Sequence, residues 1–118
     1  MTLISIADAI LDETSSQGQL RRALDEFIQL CADISGIAPD RSFDSDAGDV
    51  LLASGVAINP NAAAHCVNDY RRSVVFIRGV YAAIRLARRQ FAPAPLRILY
   101  AGCGPYATLL LPLLTRSL

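Results

Sequence analysis

Residues 97–107 read Arg-Ile-Leu-Tyr-Ala-Gly-Cys-Gly-Pro-Tyr-Ala, an apolar run interrupted by two glycines, and the chain turns apolar again from Tyr106 to Leu114. The run formed with Leu96, Ile98 and Leu99 predicts a short strand near 96–101, Gly102-Cys103-Gly104 a tight turn, and the segment after it a helix near 106–116. The glycine pattern is G-x-G-x-x-A. Gly102 permits the sharp turn, Gly104 lets backbone approach a ligand with no Cβ in the way, and the small Ala107 lets helix and strand lie close. The start of such a helix presents free N–H groups and partial positive charge, suited to a carboxylate or a phosphate. Pro112 removes one backbone donor inside that helix and is expected to kink it.

Immediately upstream, Phe91 to Pro95 holds two prolines in five residues, which stops a helix and makes a stiff link. The expected division is therefore a helical region over 1–92 and a second unit beginning at 93. Within the first region, apolar residues at helical spacing predict helices near 3–13 and 17–34. Ser16 and Gln19 form a capping box at the start of the second, and Gly36 and Pro39 follow its end. Leu20, Leu24, Phe27, Ile28, Cys31 and Ile34 share one stripe of that helix. Asn59-Pro60 is an N-cap followed by proline at the first helical position, so a long helix is expected over 60–90, as one helix bent near Asn68 or Gly79 or as two. Its inward edge carries Val67, Tyr70, Val74, Ile77, Tyr81, Ile84 and Ala87. Val50, Leu51 and Leu52 suggest one short helical turn before Gly55. There is no internal repeat and no low-complexity tract.

The chain has 118 residues, 53% of them hydrophobic and 19% charged, enough apolar material for the core of one domain and too little charge for disorder. Eleven basic and eleven acidic residues give zero net charge, which excludes the basic surplus of a generic nucleic-acid binder. That total hides an asymmetry. Residues 1–59 hold ten acids against three arginines, a net of −7, and residues 60–118 hold eight arginines against Asp69 alone, a net of +7. An acidic layer beside a basic one, joined by surface ion pairs, is one expectation. The other is that the basic helix faces an anionic substrate or an acidic segment, with Arg71, Arg78 and Arg85 in a row at a repeat of seven. Cysteines at 31, 66 and 103 match neither a disulfide framework nor a C-x-x-C metal site, which points to a reducing, cytoplasmic setting. No stretch reads as a membrane span or a secretory leader.

Other chemistry-bearing groups are sparse. Asp44, Asp46 and Asp49 alternate as calcium ligands do, but glycine and the later ligands fall at the wrong positions for a calcium loop, so a solvated acidic turn is expected and no metal. His65, Cys66 and Asp69 include the residue types of a nucleophilic site, but neighbouring helical residues point about 100° apart. No catalytic residue is assigned.

The run Ile98-Leu99-Tyr100-Ala101-Gly102-Cys103-Gly104-Pro105 resembles the first strand and glycine turn of class I S-adenosylmethionine-dependent methyltransferases. The resemblance covers residues 96–114. It implies a mostly α chain in which a helical N-terminal region precedes the first β-turn-α unit of a Rossmann-like fold, residues 93–118. Gly102, Cys103 and Gly104 would then line the methionine part of the cofactor, with Ala101 and Pro105 beside them. Two positions depart from the family pattern: Tyr100 stands where an acidic residue is usual and Tyr106 where a third glycine is common, as in a divergent branch. Only 14 residues follow Gly104, whereas the ribose-binding acid of such a fold lies roughly 20 residues beyond the glycines. The expectation is an N-terminal fragment of a methyltransferase-like transferase, with weak or no cofactor binding and no activity alone, completed by the missing C-terminal part of the fold. The alternative is a helical interaction module that buries Leu109 to Leu114 against a second copy or a partner chain. A dinucleotide-binding fragment would use the same turn and fits G-C-G less well.

Overall fold

The computed structural model describes residues 1–39 and 49–116. It is mostly helical: α1 spans Leu3–Leu11, α2 Gln17–Ser35, α3 Pro60–His65 and α4 Tyr70–Phe91. A two-stranded antiparallel hairpin, β1 Val50–Leu52 and β2 Gly55–Ala57, lies between α2 and α3. Single 3-10 segments occupy Cys66–Asn68 and Leu111–Thr115.

Local chemistry places the helix ends. At α1, Thr2 and Ser5 form a reciprocal capping box, with Ser5 N–H donating to Thr2 Oγ1 at 3.2 Å and Thr2 N–H to Ser5 Oγ at 3.0 Å. The expected box at α2 forms in the same way, Ser16 N–H donating to Gln19 Oε1 at 2.8 Å and Gln19 N–H to Ser16 Oγ at 3.3 Å. Gly36 closes α2 in the left-handed conformation at φ +71°, a geometry that penalises any side chain with a Cβ. Asn59 caps α3 with Pro60 at its first position.

Residues 60–90 form two helices, α3 and α4, broken in the expected Asn68 region and not at Gly79. Asp69 leaves helical geometry at ψ 73°, and its carboxylate accepts from Arg72 N–H at 3.3 Å, so it acts as the N-cap of a new helix. Gly79 stays inside α4, where an added Cβ would meet nothing within 4 Å.

The core joins Ile6 and Ile10 of α1, Leu24 and Phe27 of α2 and Ile77 of α4 to Leu113 of the last 3-10 segment, each fully or almost fully buried. The α2 stripe holds for Leu24, Phe27 and Cys31 and half-holds for Leu20 and Ile28; Ile34, beyond the reach of α4, is 80% exposed. On α4, Val74, Ile77 and Ile84 are buried, and Tyr70, Tyr81 and Ala87 half-buried.

Three expectations are corrected. Val50–Leu52 is a strand, not a helical turn, because Leu51 pairs with Val56 and Leu52 with Gly55 across the Ala53-Ser54 turn. The strand expected over 96–101 does not form, since residues 95–100 adopt no regular structure and have no strand neighbour among the described residues. The helix expected over 106–116 is replaced by turns to Leu110 and then the 3-10 segment. Ala107 sits at φ +45°, which an α-helix cannot pass through, and Pro112 lacks a donor. The apolar tail is nonetheless used within the chain. Pro112 and Leu113 are buried against α1, Leu109 to Leu111 are half-buried, and Leu114 alone of Leu109–Leu114 is exposed, at 66%.

Two substitutions check this account by chemical denaturation. Ser16→Ala is expected to lower stability by about 1 kcal/mol through loss of the cap. Gly79→Ala is expected to raise it by roughly 0.5–1 kcal/mol, since the site is open and helical.

Candidate functional site

The segment after Pro95 is held by Tyr106. Its ring meets Phe27 of α2 edge-on, with centroids 6.4 Å apart and planes at 89°, and its hydroxyl donates to the Ile37 carbonyl just beyond α2. Burial pushes the Tyr106 phenol up from its ordinary value, and the adjacent Cys31 adds to the shift. Burial likewise pushes the Cys31 thiol up. Tyr106, one of the two departures from the resembled pattern, is thus an anchor.

That anchor sets residues 100–105 across from the α3–α4 corner, and between them lies a cavity of about 400 Å³. Gly102, Cys103, Gly104 and Pro105 form one wall, while Cys66, Arg72 and Phe76 stand on the other. Four of the five expected site residues therefore line one cavity; Ala101 does not. Gly102 and Gly104 are left-handed at φ +64° and +65°. No atom lies within 4 Å of a Cβ added at either. Backbone conformation, not crowding, is what requires glycine there. The Cys103 thiol lies 3.4 Å from the Gly104 carbonyl and can donate to it.

Arg72 supplies the cavity's cation. Its Nε lies 3.8 Å from Asp69 Oδ2, with both side chains more than half exposed, so the guanidinium is loosely held and able to turn to a ligand. Ser73 behind it is buried and donates from Oγ to the Val67 carbonyl at 3.4 Å. The lining is otherwise largely apolar and contains no carboxylate. It can receive a small molecule with an apolar body and one anionic end.

Other sequence candidates disperse. His65 Nδ1 pairs with Asn68 Nδ2 at 3.0 Å and faces a separate cavity of about 240 Å³ beside Arg21 and Tyr70, Cys66 faces the first, and Asp69 caps α4. They make no nucleophilic site. Of the acidic turn, Asp44 and Asp46 lie outside the described residues, and the Asp49 carboxylate accepts from Asn59 N–H. No group of three or more metal-ligating side chains occurs among the described residues, and no described helix is long and apolar enough to cross a membrane.

The arginine row divides. Arg78 is half-buried and donates to the Ile10 carbonyl at 2.7 Å and the Asp12 carbonyl at 2.8 Å, closing the C-terminus of α1. Bonds from Thr14, with Arg78 nearby, hold the Asp12 carboxyl below its ordinary value. Arg71 lies over Tyr70 and Arg85 over Tyr81, at 6.0 and 5.6 Å from the ring centres. The expected seam of ion pairs between acidic and basic halves reduces, among the described residues, to Asp8–Arg116 at 2.5 Å. Sequence reading missed the roles of Arg78, Arg72 and Tyr106, because each depends on residues far away in the chain.

No family model, curated protein or solved structure matches the chain.

Tyr106→Phe is expected to cost about 0.5–1.5 kcal/mol by leaving the Ile37 carbonyl without its donor. Because the folded phenol titrates above its unfolded value, its contribution is complete below about pH 10 and fades as pH rises through the folded pKa. Urea melts at neutral and strongly alkaline pH should therefore show wild type losing more stability than Tyr106→Phe.

Proposed function

We propose that this chain is the helical region and first cofactor-binding turn of a class I S-adenosylmethionine-dependent methyltransferase-like protein, a transferase component with little or no activity by itself. The supporting observation is that the glycine turn carrying the resemblance walls a cavity with a guanidinium and an aromatic ring on its far side. In this reading Arg72 would hold the carboxylate of the methionine moiety, and Gly102, Gly104 and Phe76 would line the space for its sulfonium-bearing arm. The cofactor, when held there, supplies an activated methyl group. The chain's own part is to orient the amino-acid end and exclude water along Phe76 and Pro105.

The same cavity supports the expectation of weak binding. Its lining holds no carboxylate for the ribose hydroxyls, and each missing charged hydrogen bond is worth about 1.5–3 kcal/mol, or roughly one to two orders of magnitude in affinity. Leu96–Tyr100 takes the first strand position of a Rossmann-like unit when neighbouring strands are supplied. Ile98 and Leu99, 51% and 91% exposed, are the residues such neighbours would cover.

Titration of the 118-residue chain with S-adenosylmethionine, followed by amide NMR, tests the proposal. Expected are shifts confined to residues 102–104 and Arg72 that saturate only near millimolar ligand, their loss in Gly104→Val, a several-fold weakening in Arg72→Ala, and no methyl transfer. Shifts absent from residues 102–104, or unchanged in Gly104→Val, would overturn it.

A further inference from the structure

α4 is apolar on two sides. Ile77 and Ile84 point into the core, while on the opposite side Val75 and Leu86 are 68% and 56% exposed. Numbered as a heptad with Gly79 and Leu86 at a and Val75 and Ala82 at d, the outer side reads as a short helix-pairing seam closed at its two ends by Arg72 at a and Arg89 at d, and Arg71, Arg78 and Arg85 all fall at g. Positions e and g flank a seam and choose its partner through charge. The helix contains six arginines and no acid. Among the described residues, none of Arg71, Arg78, Arg85, Arg88 and Arg89 forms an ion pair with a carboxylate.

From this we infer that the outer face of α4 docks an amphipathic helix of a partner protein, one whose apolar stripe covers Val75 and Leu86 and whose flanking glutamates or aspartates meet Arg71 and Arg85. Charge selects this occupant over the α4 helix of a second copy. In an antiparallel pair of α4 helices, g positions face each other and Arg71 meets Arg85. In a parallel pair, g faces e, where Phe76, Ala83 and Gln90 offer no carboxylate. Arg78 takes no part, because it is committed to the end of α1. Arg71 and Arg85 remain available, their guanidiniums lying over Tyr70 and Tyr81 at the seam's edge.

The test uses the full chain and two labelled peptides of roughly four heptads each, with leucine at a and d and either glutamate or lysine at e and g. Fluorescence anisotropy should show the glutamate peptide binding at least about tenfold more tightly than the lysine peptide, with affinity falling as salt rises from about 50 to about 300 mM. Leu86→Glu should weaken it by about tenfold or more. The double variant Arg71→Glu, Arg85→Glu should reverse the preference toward the lysine peptide. All of these side chains are exposed, and unchanged far-UV circular dichroism would show the variants folded. Absence of binding, equal binding of both peptides, a dimer of the free chain dissolved by Leu86→Glu, or tighter binding to anionic lipid vesicles than to the glutamate peptide would each overturn the inference.

Discussion

Tyr106 is the contact on which the arrangement of this chain turns. Among the described residues, those after Pro95 have no sheet to join and no helix of their own longer than a 3-10 segment, so their position depends on side chains reaching the helical body. Tyr106 does this twice over, packing its ring edge against Phe27 and donating its hydroxyl to the Ile37 carbonyl. Aromatic pairs in this geometry contribute about 0.5–1.5 kcal/mol beyond area burial. Leu113, buried against α1 a few residues later, completes the hold. The glycine turn between Tyr100 and Pro105 is thereby set opposite Arg72 and Phe76, and the cavity exists because of that placement.

A second theme is how the charges are spent. The chain divides its charge between an acidic first half and an arginine-rich second half, yet among the described residues Asp8–Arg116 is the one ion pair between them. Arg78 instead satisfies carbonyls at the end of α1, a helix whose last turn holds no basic residue of its own. Arg72 stands at the cavity rim, and Arg71 and Arg85 lie over tyrosine rings. The arginines of one helix therefore serve as a structural cap, a cavity-rim cation and an outward-facing edge. Sequence spacing alone gives these residues a single description, whereas the packing of α1 against α4 gives each a separate one.

Helix boundaries were legible where the determining chemistry is local. Ser16 with Gln19, Gly36, and Asn59 with Pro60 each act through bonds to residues two to four positions away, and these survive any tertiary arrangement. The inward faces of α2 and α4 followed from periodicity for the same reason. The candidate site was half legible: Gly102, Cys103, Gly104 and Pro105 line the cavity as expected, while Arg72 and Phe76 opposite them were invisible in the motif.

Strand and hairpin were not legible, because a strand is defined by a neighbour. Val50–Leu52 became β1 only because Gly55–Ala57 turned back to pair with it, and the apolar run at 96–101 remained irregular because no edge was offered to it. Sequence by itself determined the caps, the helical faces and the left-handed glycines, whose energies arise within one or two turns of chain. Tertiary structure decided that Tyr106 is an anchor, that Arg78 belongs to α1, and that the glycine turn faces α4. The Tyr106 and Arg78 contacts join residues 66 to 79 positions apart, and their free energy is realised only once the body they bridge has folded.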